Sequence, residues 1–263
     1  RISDRPRQLT VLDFPHPTQP AAMSGPDATG DQRPALDFDG DYGRTYRQSI
    51  RHSVPGYDSL IELATAALLQ AVPDAARLLV VGPGPGEELI PLLEAFPEAQ
   101  FTLLEPSRQM REACGALIAA AGAKVRCTVL DQGLEPGQPA PGGPYAAVVC
   151  HNVLHLLPPP QQQEMLQSLA AAVPAGGVLL LSSHSESSSG AAFDTLLAIA
   201  STRLRQRGMP AALIEQLMAS RNQLVFSLEQ SHLEAVLAGA GLEPPLLLQQ
   251  SLFSRLWISR RAG

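Results

Sequence analysis

The stretch LLVVGPGPGEELI, residues 78–90, decides how the rest of the chain is read. Its apolar run, Leu78 to Val81, stops abruptly at glycine, the pattern of a buried parallel strand entering a tight turn. Gly82, Gly84 and Gly86 alternate through that turn. Glycine allows the positive φ and the close backbone approach that residues with a Cβ resist. A helix starting near Pro85 is expected to follow. Strand, glycine turn and helix together make the ligand-binding corner of a doubly wound sheet. In the dinucleotide version of that corner, a pyrophosphate rests on the N–H groups of the helix N-terminus, where the macrodipole favours negative charge. Here Glu87 and Glu88 fall at the expected first turn of the helix. They would repel a pyrophosphate, so the turn suits a ligand that is neutral or cationic near the loop, and an NAD-dependent enzyme is the poorer reading.

Outward from this corner the chain alternates regularly. Strands are expected at 77–81, 101–104, 124–130, 146–150, 178–182, 245–249 and 253–259. Helices are expected between them at 86–95, 107–121, 160–172, 191 to about 220, and 229–240. Strands separated by helices require a parallel sheet with right-handed crossovers. The last two strands lack an intervening helix and should form an antiparallel hairpin at one edge. The expected fold is therefore α/β, a doubly wound, seven-stranded, mostly parallel sheet with a C-terminal hairpin. The stretch at about 185–228 is too long for a simple crossover and reads as a helical insert, a lid or an oligomer contact. One or two helices precede the sheet, broken at Pro55-Gly56. Residues 1–35, with prolines at 6, 15, 17, 20, 26 and 34 among small polar residues, read as a flexible or surface arm. Residues 36–263 form the ligand-binding domain.

Bulk properties narrow the function. A chain of 263 residues with 45% hydrophobic and 17% charged residues describes one globular domain with an appendage. Charges and prolines interrupt every apolar run before it is long enough to span a bilayer, so no membrane partner is expected. A formal net charge of −6 argues against a general nucleic-acid binder. The opening residues have no apolar signal core, and Cys114, Cys127 and Cys150 show no metal-ligand spacing. Reduced thiols and a cytoplasmic location are the expectation.

Candidate ligand contacts lie at strand ends, because ligands of such sheets bind outside the carboxyl edge. Glu105 closes the second strand in FTLLEPS, about 20 residues beyond the glycine turn, the spacing at which a carboxylate meets the ribose hydroxyls of an adenosine. Asp131 closes the third strand in VRCTVLDQG, where an acceptor can meet the exocyclic amine of adenine. His151 and Asn152 follow the fourth strand in VVCHNVLHLL. His155 has metal-like spacing to His151, but it sits among leucines as a packed residue would and no third ligand is evident; no metal is expected.

This order of motifs resembles the class I S-adenosylmethionine-dependent methyltransferases over about residues 38–260. VVGPGPG is similar to their first motif, LLEPS to their acidic second motif, and PAGGVLLLS to a later turn and strand. The chain departs from the family at Val80, where an acidic residue usually precedes the first glycine. Upstream, FDGDYGRTYRQSIRHSVPGYDSLIELA resembles the start of the carboxy-S-adenosylmethionine synthase family through its SVPGY segment. The resemblance implies S-adenosylmethionine as cofactor, held by Tyr57, Gly82, Gly84, Gly86, Glu105, Asp131, Gln132 and His151. His151 and Tyr57 are the candidate catalytic groups, with His184 as a further possible base, and Arg221 is the candidate substrate arginine, one helical turn beyond the aligned Met218. It also implies a small-molecule acceptor and a homodimer. Two alternatives stay open: carboxyl transfer onto the cofactor, and a non-catalytic cofactor-binding dimeric module.

Overall fold

The computed structural model describes residues 36–186 and 190–263, so the expectation for residues 1–35 lies outside the described residues. Helices α1 (Asp41–Ser53) and α2 (Tyr57–Ala71) come first. Then follow β1 (Arg77–Val81), α3 (Leu89–Ala95), β2 (Gln100–Leu104), α4 (Arg108–Ala120), β3 (Cys127–Leu130), β4 (Ala147–His151), α5 (Pro159–Ala171) and β5 (Val178–His184). The chain ends with α6 (Ala191–Gln206), α7 (Ala211–Ala219), α8 (Gln230–Gly239), β6 (Leu246–Ser251) and β7 (Ser254–Arg260).

One seven-stranded sheet runs in the order β3-β2-β1-β4-β5-β7-β6. Its first five positions are parallel, and β7 pairs antiparallel with both β5 and β6. The period-2 alternation of a strand divides the core into two layers. Leu78 and Val80 pack with Leu60, Leu68, Leu89 and Cys114 on one face, whereas Leu79 and Val81 pack with Leu166, Leu169, Leu233 and Leu237 on the other. Residues 78–81 are almost wholly buried. Full burial of each such side chain contributes about 1.5–3 kcal/mol, which is why this apolar run stands at the sheet's centre. The strand order reverses direction between β1 and β4, and the crevice outside the carboxyl ends of those two strands is the ligand-binding position of the fold.

Three boundaries differ from the sequence expectation. The helix after the glycine turn starts at Leu89, not near Pro85. Gly84 and Gly86 hold φ of 55° and 85°, so a right-handed helix cannot begin until the chain has passed them. The expected strand at 124–130 opens as a 3-10 turn, Lys124–Arg126. The long insert divides into α6 and α7 at Gly208-Met209-Pro210, because Gly208 is left-handed at φ 83° and proline cannot donate to the preceding turn. No helix among the described residues is long and apolar enough to cross a membrane.

Candidate functional site

A cavity of about 350 Å³ lies over the carboxyl edge of the sheet. Its wall is built from the turn after β1 (Gly82, Gly84), the end of β2 (Glu105, Ser107), the end of β4 (His151 to Val153), α1 (Tyr42, Tyr46) and the insert. A Cβ on Gly82 would lie 2.5 Å from Val153 Cγ2. With φ at 66°, that position admits only glycine without strain. Gly86 serves a different purpose. It is absent from the wall, and a Cβ there would meet Cys114 Sγ of α4 at 3.0 Å, so the third glycine lets helix and turn pack closely.

Glu105 reaches back to the turn. Its Oε2 accepts the Gly84 N–H at 2.9 Å and its Oε1 accepts the Ser107 N–H at 3.0 Å. Burial raises the Glu105 pKa, against the pull of those two backbone donors. The carboxylate is thus fixed by main chain rather than by a basic side chain, and it faces the cavity.

The two turn glutamates are not where the charge argument from sequence put them. Both precede the helix instead of occupying its first turn. Glu87 is answered by Arg51 at 2.9 Å and Arg47 at 3.6 Å. Glu88 is buried, and burial, with the Glu105 charge second, raises its carboxyl well above the usual range. Its Oε2 stands 3.9 Å from His151 Nε2. Burial pushes the His151 pKa down to about 4, and its Nδ1 meets Ser182 Oγ at 3.0 Å. Burial biases both groups toward their neutral forms, and Arg51 answers Glu87, so this turn does not present two free carboxylates to a ligand.

Tyr57, the tyrosine expected at the site, lies outside the cavity wall, and Tyr46 lies in it. Tyr57 starts α2, is buried under the Arg51 guanidinium at 5.4 Å, and does not line the cavity. Tyr46 does, with Tyr42 and Phe38 packed around it at ring separations of 5.2–6.0 Å. Burial raises both phenols, Tyr42 to about 12 and Tyr46 well above its ordinary value. The signal for this wall was in the sequence: Tyr42 and Tyr46 sit four apart in a helical stretch, hence on one face.

Asp131 and Gln132 also fall outside the cavity wall. Asp131 is 74% exposed and pairs with Arg111 Nη1 at 2.5 Å. Arg221 is in the wall, but its guanidinium is already engaged. Nε and Nη2 bind Glu186 Oε1 and Oε2 at 2.9 and 2.6 Å, and the group lies 4.3 Å over the Phe193 ring. His184 Nε2 meets the same carboxylate at 2.9 Å. Burial would raise the Glu186 pKa, but hydrogen bonds from His184 and Arg221 together outweigh it and lower the pKa to about 2. Nothing in the sequence marked Glu186, which lies between the end of β5 and residues outside the description. His155 sits in a 3-10 turn rather than on a helix with His151, and its pKa is pushed down to about 3 by burial and by His184. Among the described residues no group of three or more His, Cys, Asp or Glu side chains is placed to hold a metal ion.

Sheet order and glycine turn are those of the seven-stranded fold that class I methyltransferases share. Residues 79–179, from β1 into β5, match the family model described as a methyltransferase domain. No curated protein matches the sequence significantly. Among solved structures, an O-methyltransferase family protein from Burkholderia thailandensis aligns at 16% identity and TM-score 0.59, over 78% of this chain and 56% of that one. A mitomycin 7-O-methyltransferase aligns at 21% identity and TM-score 0.56, over 85% of this chain and 61% of that one. The chain therefore spans less than two thirds of either protein. A magnesium protoporphyrin IX methyltransferase from Synechocystis PCC 6803 with bound S-adenosylhomocysteine aligns at 18% identity and TM-score 0.62, over 86% of this chain and 96% of that one. At these identities the likeness is one of fold.

Proposed function

We propose that this chain is an S-adenosylmethionine-dependent methyltransferase acting on a small-molecule acceptor. The observation that carries the reading is the convergence of Gly82, Gly84 and Glu105 on one cavity at the switch point of the sheet. A left-handed glycine turn whose Cβ space is already taken, beside a carboxylate locked by main-chain N–H groups, fits an adenosyl ligand lying on the backbone with its ribose hydroxyls on Glu105. When bound, the cofactor supplies a sulfonium whose positive charge makes its methyl carbon electrophilic. The protein's own task is to align the acceptor behind that carbon and to keep water out. Tyr42, Tyr46 and the insert provide the cover, and His151 and Asn152 form the floor beyond β4. In this reading Asp131 and Gln132 meet adenine only once Asp131 exchanges Arg111 for it, and Tyr57 supports the wall from behind. The acceptors named for two of the similar structures, mitomycin and magnesium protoporphyrin IX, are small molecules, which supports the reading.

Calorimetric titration with S-adenosylmethionine, S-adenosylhomocysteine and NAD tests the reading. Binding of both adenosyl ligands and not of NAD is expected, and the reverse pattern would overturn it. A second reading, carboxyl transfer onto the cofactor as in the carboxy-S-adenosylmethionine synthases, is favoured by the place of Arg221 in the wall. Glu186 already neutralises that arginine, so the first reading ranks above it. Mass spectrometry of ligand carried through purification separates the two. We also propose a homodimer that uses the insert, where Ile199 of α6 and Leu213 of α7 are half-exposed, and a cytoplasmic location suited to three free cysteines. A monomer mass in light scattering would remove the dimer.

A further inference from the structure

Glu105, Arg203 and Arg221 are the carboxylate and guanidinium groups of the cavity wall. Glu105 is held by main-chain N–H groups, and Arg221 is neutralised by Glu186. Arg203 of α6 has no such answer. Its Nη1 and Nη2 donate to the carbonyls of His52 and Arg51 at the end of α1, and no carboxylate among the described residues pairs with it. The C-terminal pole of a helix is equivalent to about half an elementary charge, so those carbonyls offset the guanidinium only in part. Arg203 is half-buried, and burial together with the nearby Arg207 charge lowers its pKa, the opposite of what an anionic partner would do. A guanidinium has five N–H donors, and the two carbonyls take two of them, which leaves the rest to water or to a ligand. The wall contributed by the same two segments is otherwise largely apolar, with Ile50, Val54, Ala200 and Leu204. A low local dielectric strengthens an ion pair formed there.

Resting on the methyltransferase reading, we propose that Arg203 is the carboxylate-binding residue of this cavity, holding a carboxylate carried either by the acceptor or by the methionine half of the cofactor. The planar fork of a guanidinium matches a carboxylate in shape as well as in charge. Because Arg221 is already paired, the wall has one uncompensated positive charge among the described residues, which suits a monoanion better than a phosphate dianion. Arg203 binds and orients in this role and takes no part in bond making. The bond to α1 is compatible with it, since that bond fixes the guanidinium at the seam between α1 and α6, both of which line the cavity.

The test uses two matched pairs of probes in calorimetric titration. Benzoate and benzamide have nearly the same shape and differ in charge; S-adenosylhomocysteine and 5′-methylthioadenosine differ in the amino-acid half, which carries the carboxylate. If the acceptor supplies the carboxylate, benzoate is expected to bind protein saturated with S-adenosylhomocysteine at least about tenfold more tightly than benzamide, the size of a charged hydrogen bond. If the cofactor supplies it, benzoate is expected to bind the ligand-free protein only, and Arg203→Gln to lower affinity for S-adenosylhomocysteine at least about tenfold while leaving that for 5′-methylthioadenosine unchanged. In either case Arg203→Gln, whose amide can still donate to the α1 carbonyls, is expected to erase the preference for benzoate, whereas Arg221→Gln keeps it. A residue that only ties α6 to α1 would move none of these differences. Benzoate bound no better than benzamide by the wild type in both states, a preference that survives in Arg203→Gln, or one lost in Arg221→Gln would overturn the proposal. The wild-type and Arg221→Gln measurements decide by themselves should Arg203→Gln fail to fold. If neither adenosyl ligand binds the wild type, the methyltransferase reading falls; if both bind and benzoate shows no preference, only the carboxylate site falls.

Discussion

The two ends of the cavity are built in opposite ways. At the end proposed for the cofactor, the wall comes from residues next to one another in the chain or at the ends of adjacent strands, and its polar work is done largely by main chain. Gly82 N donates to Leu104 O at 2.8 Å and Gly84 N donates to Glu105, so β1 and β2 lock the turn between them. At the opposite end, proposed for the acceptor, His184, Glu186 and Arg221 come from the end of β5 and the end of the insert, and side chains do the work. A site made of backbone tolerates little change and leaves a motif. One made of side chains on an insert can be rebuilt for another acceptor without disturbing the sheet.

Glu105→Ala should show the largest effect of the changes that probe this contrast. It removes a charged acceptor at the cofactor end, and hydrogen bonds to charged groups are worth about 1.5–3 kcal/mol. Calorimetric affinity for S-adenosylhomocysteine should fall by that amount while the variant stays folded. Glu186→Ala, measured alongside, should leave that affinity in place. Equal losses in the two variants would mean that the ends are not separate, and no loss in a folded Glu105→Ala would take Glu105 out of the site.

Tyr46→Ala comes next. The ring lines the cavity from α1 beside Gly84, and a well-packed aromatic contact is worth about 0.5–1.5 kcal/mol beyond its area. A drop in cofactor affinity of that order is expected in the same titration. An unchanged affinity would place the cover elsewhere.

How much of this was legible follows the same division. The apolar run of residues 78–81, the alternation of strands and helices, and Glu105 at a strand end are local patterns, and they located the sheet and the carboxyl-edge turn on which the proposed cofactor site is built. The helix start was misplaced because the rule for glycine turns does not say how many left-handed residues a turn will hold. Glu87 and Glu88 were assigned to the ligand because their partners, Arg51 and His151, come from elements distant in sequence. Tyr57 drew the reading and Tyr46 did not, since SVPGY is a recognisable string whereas a pair of tyrosines on a helix face is not. Glu186 has no local signature at all; its role exists only once Arg221 arrives from the far side of the insert.

Acidification should sharpen the contrast from the acceptor side. The Glu186 carboxyl has its folded pKa lowered from 4.5 to about 2. Its contribution to stability is therefore fully present above the unfolded value and is lost as pH falls from about 4.5 toward about 2. The size expected is on the order of 1 kcal/mol, since part of the gain is spent on desolvation and screening. Melting curves of wild type and Glu186→Gln across that window should converge at the acid end. A constant gap between them down to the lowest pH would show that the pair does not carry the linkage.

The smallest expected effect belongs to Tyr57→Phe, and it separates the two resemblances most directly. If the SVPGY likeness extends to function, the Tyr57 hydroxyl contacts the cofactor, and its removal should cost about one hydrogen bond, on the order of 1 kcal/mol of affinity. The structure favours a supporting role instead: Tyr57 lies outside the cavity wall, under Arg51, and its hydroxyl has no hydrogen-bond partner among the described residues. Removing an oxygen that binds nothing should change affinity by less than about 0.5 kcal/mol, the range of a substitution away from a specific contact. The ring, which carries the packing and the cation contact, is kept in the variant, so the melting temperature should hold as well. Cofactor affinity and melting temperature measured on the same Tyr57→Phe sample decide the matter. A loss of affinity near 1 kcal/mol with an unchanged melting temperature would move Tyr57 into the site and Tyr46 to the background.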